Sequence, residues 1–516
     1  MMKRGAKSFN FGSVQGFAAA AVGVILFAFM LYLTVFAFFE TTIITTHNNA
    51  GELAETMTDN IFLNIILLVI ILSALYIFYR HRDDVSLRRI EIILMVWTLV
   101  LGAAFIVSVK LCAPWYTDSY YVTTAAQKAA RGDFGAMETY FVRYPFQLGF
   151  VMYEEVFFRV CLVLLPGLPD GYYCLALQGV NVLWLMLSYH ALIKLSGHLF
   201  YSIRVQKMTA LLMIFCLPAV LTCTFLYGNI PAYGCGITAL WMFAEFLERR
   251  RIINGVLCAL LLGVAVALKL NLLIFFVAVA IVWVFELCGK FSLRSALCLA
   301  LTAASVFTVS KLPQTVYESR CGKQFGDGIP MLAWMAMGFS EGHAGPGWYK
   351  EDNTVTFFTN SGCDTALTSE HAKQVIRDRA AFFAENPGKA WKFFSTKLKS
   401  QWNEPTYESI WVNRVQASYG EKKGLYNVFC NEKGKTVREV MNQFQQLVFL
   451  GVLLYSVVII KEKNLRNCLP AIVLLGGMFY HLLFEAKSQY ILPYFIIMIP
   501  LAANGLCCVF FAISKR

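Results

Sequence analysis

"GFAAAAVGVILFAFMLYLTVFAFF", residues 16–39, runs without a single charged side chain. At 1.5 Å per helical residue such a run covers the roughly 30 Å hydrocarbon core of a bilayer, and in lipid only a helix satisfies every backbone N–H and C=O within one segment. The run is too long for a signal-peptide core and has no small-residue cleavage site, so it reads as a retained helix. Comparable runs recur at 61–79, 90–112, 173–193, 208–227, 231–247, 252–268, 271–288, 295–311, 443–460, 468–485 and 491–512. Composition agrees: of 516 residues, 58% are apolar and 15% charged, with mean hydropathy +0.59, where soluble domains are about a quarter charged. The expected fold class is an all-α polytopic membrane protein of about twelve transmembrane helices, with an extracytoplasmic domain of mixed composition between the ninth and tenth.

A formal charge of +12 would suggest nucleic acid in a soluble chain, but here its distribution decides otherwise. Basic residues gather in alternate loops: Lys3, Arg4 and Lys7; Arg80, Arg82, Arg88 and Arg89; Lys194, Arg204 and Lys207; Arg249 to Arg251; Lys290 and Arg294; Lys461, Lys463 and Arg466; Lys515 and Arg516. The short loops opposite hold only Lys269 and Lys487. The positive-inside rule then puts both termini in the cytoplasm of a multi-pass cell-membrane protein. Counting 147–165 as a further span would invert every later loop, so "QLGFVMYEEVFFRVCLVLL" is expected as an interfacial helix at the outer face. The chain divides into three helices (1–112), an outer loop (113–172), six helices (173–311), an outer domain (312–442) and three helices (443–516). Most of the 15 cysteines are scattered through apolar spans, with no CxxC and no metal spacing. Cys321, Cys363 and Cys430 fall in the outer domain and allow at most one bridge among themselves.

The chemistry is expected where charge meets the outer boundary. In "PWYTDSYYVTTAAQKAARG", residues 114–132, Asp118 lies among Trp115, Tyr116, Tyr120 and Tyr121, with Thr117 and Ser119 beside it. A carboxylate partly desolvated by aromatics moves toward the working range of a general base. The same residue is also a good N-cap for a helix ending at Gly132, and the two readings are compatible. Arg143 in "RYPFQ", with Tyr144 and Gln147, offers a planar fork for a phosphate or a snorkelling anchor. Glu154 and Glu155 point about 100° apart in a helix and cannot form a paired-acid site by themselves. "YGNIPAYG" at 227–234 contributes Tyr227, "ALKLNLL" contributes Lys269 and Asn271, and "FEAKSQYILPY" contributes Glu485, Lys487, Gln489 and Tyr490. Charges at that depth are functional hypotheses by default. His343 in "EGHAGPGWY" reads as a solvated loop histidine or a base.

An aspartate soon after a transmembrane helix, then "YYVTTAAQKAARGDF", a "YPFQLG" turn and an interfacial helix, resembles the GT-C fold polyprenyl-phosphate-dependent glycosyltransferases. The similarity is to bacterial members of glycosyltransferase family 39, related to the protein O-mannosyltransferases and the aminoarabinose transferases of lipid A. The "KLN" turn, the large outer segment before the last three helices and "EAKSQYILPY" extend it along most of the chain. "RYPFQ" stands where that family places an acidic residue beside two prolines, and three helices instead of one precede the loop. The resemblance implies a membrane glycosyltransferase with Asp118 as catalytic base, moving a hexose or pentose from a polyprenyl-phosphate donor to an acceptor hydroxyl of a cell-envelope glycan, lipid or protein, with inversion. Arg143, Lys269 and Lys487 are expected to hold the donor phosphate. Tyr120, Tyr121, Tyr144, Gln147, Glu154, Glu155, Tyr227, Asn271 and Tyr490 are expected to line the cleft. No cofactor is required and no nucleic acid is expected; a divalent metal stays open. The rival reading is a polytopic transporter or lipid-linked-glycan flippase, against which most spans lack internal charge.

Overall fold

The computed structural model describes residues 11–46, 51–81, 84–113, 118–137, 139–416, 421–431 and 434–515. Three long helices open the chain: α1 (Phe11–Phe39), α2 (Ile61–Arg80) and α3 (Leu87–Val109). Between the first two stands an antiparallel hairpin of β1 (Glu40–Thr46) and β2 (Glu52–Thr58), with Glu40 opposite Thr58. Threonine and isoleucine fill its first strand, as suits a pleated surface. Asn60 and Ser86 cap α2 and α3 by accepting from the backbone N–H groups of Leu63 and Arg89.

The chain then leaves the spanning pattern. Helices α4 (Asp118–Ala130) and α5 (Thr139–Arg143) and a short turn at Pro145–Gln147 lead into α6 (Leu148–Leu164). Next come α7 (Asp170–Phe200), α8 (Ile203–Met213), α9 (Leu217–Leu221), α10 (Asn229–Arg249), α11 (Ile252–Leu268), α12 (Leu273–Gly289) and α13 (Leu293–Cys321). Among the described residues, nine helices are long and apolar enough to cross a membrane, and α8 with α9 makes a tenth span bent by 54°. Eleven of the twelve expected spans meet a single helix and the remaining one, 208–227, meets that bent pair, but α11 and α21 (Leu469–Leu483) have only 17 and 15 residues. Both are shorter than about 20 residues because polar turns at 269–271 and 485–490 end them early. Large apolar side chains on α2 and α3, among them Phe62, Ile70, Val100 and Val107, point outward, as surfaces in contact with lipid do.

The segment expected as a mixed outer domain is helical in the described residues: α14 (Met331–Gly338), α15 (Phe357–Asn360), α16 (Thr365–Glu385), α17 (Pro387–Trp402), α18 (Ser409–Gln416) and α19 (Leu425–Phe429) precede α20 (Gly434–Glu462), α21 and α22 (Leu492–Ser514). One apolar cluster joins Ile329, Ala333, Ala336, Val355, Phe358 and Ala372, and a second joins Phe339, Phe383 and Phe393. Trp402, Tyr407 and Ile410 instead pack into the core of the helical body. All fifteen cysteines are free thiols, Cys321, Cys363 and Cys430 included. α6 packs beneath α4 and beside α11 and α13. That packing is close: a Cβ on Gly149 would lie 1.8 Å from the Ala267 carbonyl oxygen, so only glycine lets the end of α11 approach.

Candidate active site

One large cavity, of about 810 Å³, opens where these elements meet. Its walls come from the start of α4, the turn after α5, the segment before α10, the end of α11, the middle of α13, the loop at 327–330 with the start of α14, the loop at 343–351, α18, and the end of α21 with the chain between α21 and α22. The tip of the hairpin adds Gly51 and Glu52. The volume falls in the roughly 300–1,000 Å³ range of small-molecule sites.

Asp118 is the first helical residue of α4 and is half-buried in this wall. Tyr140 donates its hydroxyl to Asp118 Oδ1 at 2.9 Å, and Tyr227 donates to Oδ2 at 2.9 Å. Each oxygen keeps a further lone pair for a third donor. Gln147 Nε2 in turn donates to the Tyr227 hydroxyl at 2.6 Å. Tyr121 stacks on Tyr140 at 4.7 Å, and Tyr140 packs against Tyr144 at 4.8 Å. Burial, then the Asp118 charge, pushes the Tyr140 and Tyr227 hydroxyls well above their usual range, so both remain donors. Gly228 makes the Tyr227 turn possible. Its φ of +76° is left-handed, and a Cβ there would crowd Leu268 O and the Phe150 ring.

Lys269, at the end of α11, holds its ammonium 3.8 Å from the Tyr227 ring centroid and 5.5 Å from that of Tyr490. Among the described residues it has no carboxylate or carbonyl partner for its Nζ. Burial lowers it from 10.5 to about 8, against the opposing pull of Asp118 and Glu485. Lys487 is differently placed. Its Nζ donates to Glu52 Oε1 at 2.6 Å and lies 3.9 Å from Glu408 Oε2. Those carboxylates overcome its desolvation and raise it above its ordinary value.

Tyr121, Tyr144, Gln147, Tyr227, Asn271 and Tyr490 line the cavity with Asp118, Lys269, Lys487 and the exposed His343. Tyr120, Arg143, Glu154 and Glu155 stand outside its walls. Tyr120 meets Tyr121 edge-on. The Arg143 carbonyl accepts from the Ile329 N–H at 3.1 Å, and its Nε is buried without a partner. Glu154 is fully buried and accepts from Thr123 at 3.3 Å. Glu155 belongs to an ionic cluster with Arg159, Arg320 and the Tyr317 hydroxyl. Trp115, Tyr116, Thr117 and Glu138 lie outside the described residues, as do Lys3, Arg4, Lys7, Arg82 and Arg516.

Two acids absent from the expected site shape it. Glu404 and Glu408, both fully buried, clasp the 487–490 turn: Ser488 Oγ donates to Glu404 Oε2 at 3.0 Å, and the N–H groups of Ser488 and Gln489 donate to Glu408 Oε1 at 3.0 and 3.2 Å. In "NEPTYESIW" nothing but their spacing marks them, and their partners lie some eighty residues away. Among the described residues no three His, Cys, Asp or Glu side chains gather as a metal-binding group.

No family model matches the chain, and neither does any curated protein. Among solved structures the chain is similar to the archaeal oligosaccharyltransferase AglB from Archaeoglobus fulgidus in complex with an inhibitory peptide and a dolichol-phosphate, at 14% identity and a TM-score of 0.41, over 82% of this chain and 51% of that one. It is similar also to the apo form of the Archaeoglobus fulgidus oligosaccharyltransferase, at 13% identity and 0.40, with the same coverage. The chain thus spans about half the length of these proteins.

Proposed function

We propose that this protein is a GT-C-like membrane glycosyltransferase that moves a sugar from a polyprenyl-phosphate donor to an extracytoplasmic acceptor hydroxyl on a cell-envelope glycan, lipid or protein. The observation that carries the reading is one tyrosine. Tyr227 donates its hydroxyl to Asp118 and carries over its ring the Lys269 ammonium, which has no anionic partner among the described residues. A carboxylate able to take a proton and a cation able to take a phosphate therefore border one cavity, at the ends of helices where a lipid-linked phosphate sits.

In the proposed step the acceptor oxygen attacks the anomeric carbon, and the bond from that carbon to the phosphate oxygen breaks. The acceptor's proton passes to Asp118, and the bonding pair stays on the polyprenyl phosphate, whose charge Lys269 partly neutralises. A single displacement inverts the anomeric centre. Lys487, already occupied by Glu52 and Glu408, acts at a distance through the field it shares with them. Arg143 would need to rotate toward the cavity to meet a phosphate. Both termini are cytoplasmic in this reading, and the cavity opens outward.

A transporter would carry its charges along a path at mid-membrane. Here the charged groups of the cavity, Lys311 on α13 apart, sit at helix ends and connecting segments. The test is sugar transfer by the purified protein in proteoliposomes with polyprenyl-phosphate sugars as donors and extracted envelope glycans as acceptors. Asp118→Asn, nearly isosteric, should abolish transfer with its unfolding temperature unchanged. Retained transfer removes Asp118 as base, and solute uptake without any glycan product favours transport.

A further inference from the structure

The cavity contains a second group of polar atoms that the displacement step leaves unused. His481 lies on the last turn of α21 in the cavity wall, fully buried, and among the described residues neither ring nitrogen makes a hydrogen bond within 3.5 Å, the Glu485 backbone being its polar neighbour. Gln489 Oε1, on the same wall, is likewise buried without a partner. Glu485, also in this wall, accepts from the Tyr490 hydroxyl at 3.5 Å. A buried donor or acceptor without a partner costs stability, so the two His481 nitrogens and the Gln489 oxygen in one cavity wall point to a ligand that supplies their partners.

This wall is held rigidly. Lys397 Nζ donates to the carbonyls of Gly338 and Phe484 at 2.6 and 2.7 Å, Gln401 Nε2 donates to the His481 carbonyl at 3.2 Å, and the Ala486 N–H donates to Gly347 O at 2.7 Å. Aromatic rings adjoin it: Tyr490 and Tyr494 pack against the His481 ring, and Trp348 and Trp411 line the same cavity. Charge separates its ligand from the phosphate. An anion is drawn to Lys269 and repelled by Glu485, whereas neutral hydroxyls suit an imidazole, an amide oxygen and a carboxyl next to aromatic rings. Burial pushes the Glu485 carboxyl up to about 7, so near neutral pH it can donate as well as accept.

We propose that His481, Glu485 and Gln489 form the subsite that reads the hydroxyl groups of the donor's sugar ring and so set which sugar is transferred. This deepens the transferase reading and rests on it. The test uses the full-length protein in nanodiscs and measures binding of bare undecaprenyl phosphate and of undecaprenyl-phosphate glucose, galactose, N-acetylglucosamine and arabinose. The wild type should hold one sugar-bearing lipid more tightly than the bare lipid. His481→Phe and Glu485→Gln should each erode that preference by about tenfold per hydrogen bond removed, with affinity for the bare lipid unchanged in His481→Phe and unchanged or higher in Glu485→Gln, where a repelling charge is gone. His481→Phe keeps ring contacts with Tyr490 and Tyr494 while removing two unpartnered nitrogens, so the unfolding temperature of the ligand-free protein should hold or rise. A fall would show that the nitrogens serve the fold and would overturn the subsite. Variants that keep the preference, or a wild type that binds the bare lipid without preferring any sugar, would overturn the subsite and leave the donor-phosphate reading standing. A wild type that binds none of these lipids would overturn that reading itself, and the subsite with it.

Discussion

Replacing Lys269 with methionine should weaken function and strengthen the fold at once. The side chain keeps its length and apolar stem and loses only the ammonium. In the folded protein that ammonium is buried among Tyr227 and Tyr490 without a hydrogen-bonded anion among the described residues, and burial lowers it from 10.5 to about 8. At neutral pH, holding the proton there costs about 3 kcal/mol relative to the unfolded chain, an order-of-magnitude figure that methionine recovers in part. The sign with pH follows. Between about 8 and 10.5 the unfolded chain binds more protons at this site than the native one, so native stability rises with pH across that window. The unfolding-temperature advantage of Lys269→Met should therefore be full below pH 8 and shrink toward zero by pH 10.5. Transfer should respond oppositely. A fixed cation facing a developing phosphate charge is worth roughly 3–4 kcal/mol, or about a hundredfold to a thousandfold in rate. Thermal unfolding of nanodisc-embedded protein across pH, together with single-turnover transfer, reads both quantities. A variant less stable than the wild type but equally fast would make Lys269 a structural anchor and refute the reasoning.

Three further outcomes follow from neighbouring contacts. Tyr227→Phe removes one of the two hydroxyls on Asp118 but leaves the ring under Lys269. Turnover should fall by about tenfold to a hundredfold, from a charged hydrogen bond worth ~1.5–3 kcal/mol, while donor affinity measured by titration stays constant. Lys487→Met strands the buried Glu408 and the half-buried Glu52 carboxylates and should cost about 3–5 kcal/mol in thermal or chemical unfolding; a stability gain would contradict the assignment of Lys487 as their counter-ion. Gly149→Ala forces a methyl against the Ala267 carbonyl, which should cost about 1–3 kcal/mol or more and shift the α11 end that carries Lys269, weakening donor binding in the same titration.

The spans were legible because run length against bilayer thickness is a strong constraint, and the resulting map needed adjustment where α11 and α21 stop short at polar turns and where 208–227 is the bent pair of α8 and α9. The 40–58 hairpin was not foreseen, although "TTIITT" and the Asn and Gly of "HNNAG" are ordinary strand and turn signals; they were read only as a loop between two spans. Asp118, Lys269 and Glu485 stood out because charge near a membrane is costly, whereas His481 lay hidden in "GGMFYHLLFE" within an apolar run. A polar residue inside a span carries the same implication as a charged one. What no pattern carried was pairing at long range. That Glu52 would meet Lys487, that Glu404 would meet Ser488, and that Glu155 would face Arg320 instead of the cavity depends on how distant segments pack.

The most direct measurement is a cryo-EM map of full-length Asp118→Asn in nanodiscs, trapped with a polyprenyl-phosphate sugar. The account predicts a phosphate oxygen within about 3 Å of Lys269 Nζ, the anomeric carbon facing position 118, and the ring directed toward His481 and Glu485. Donor density elsewhere in the protein, or a phosphate seated away from Lys269 with the sugar turned from position 118, would contradict it.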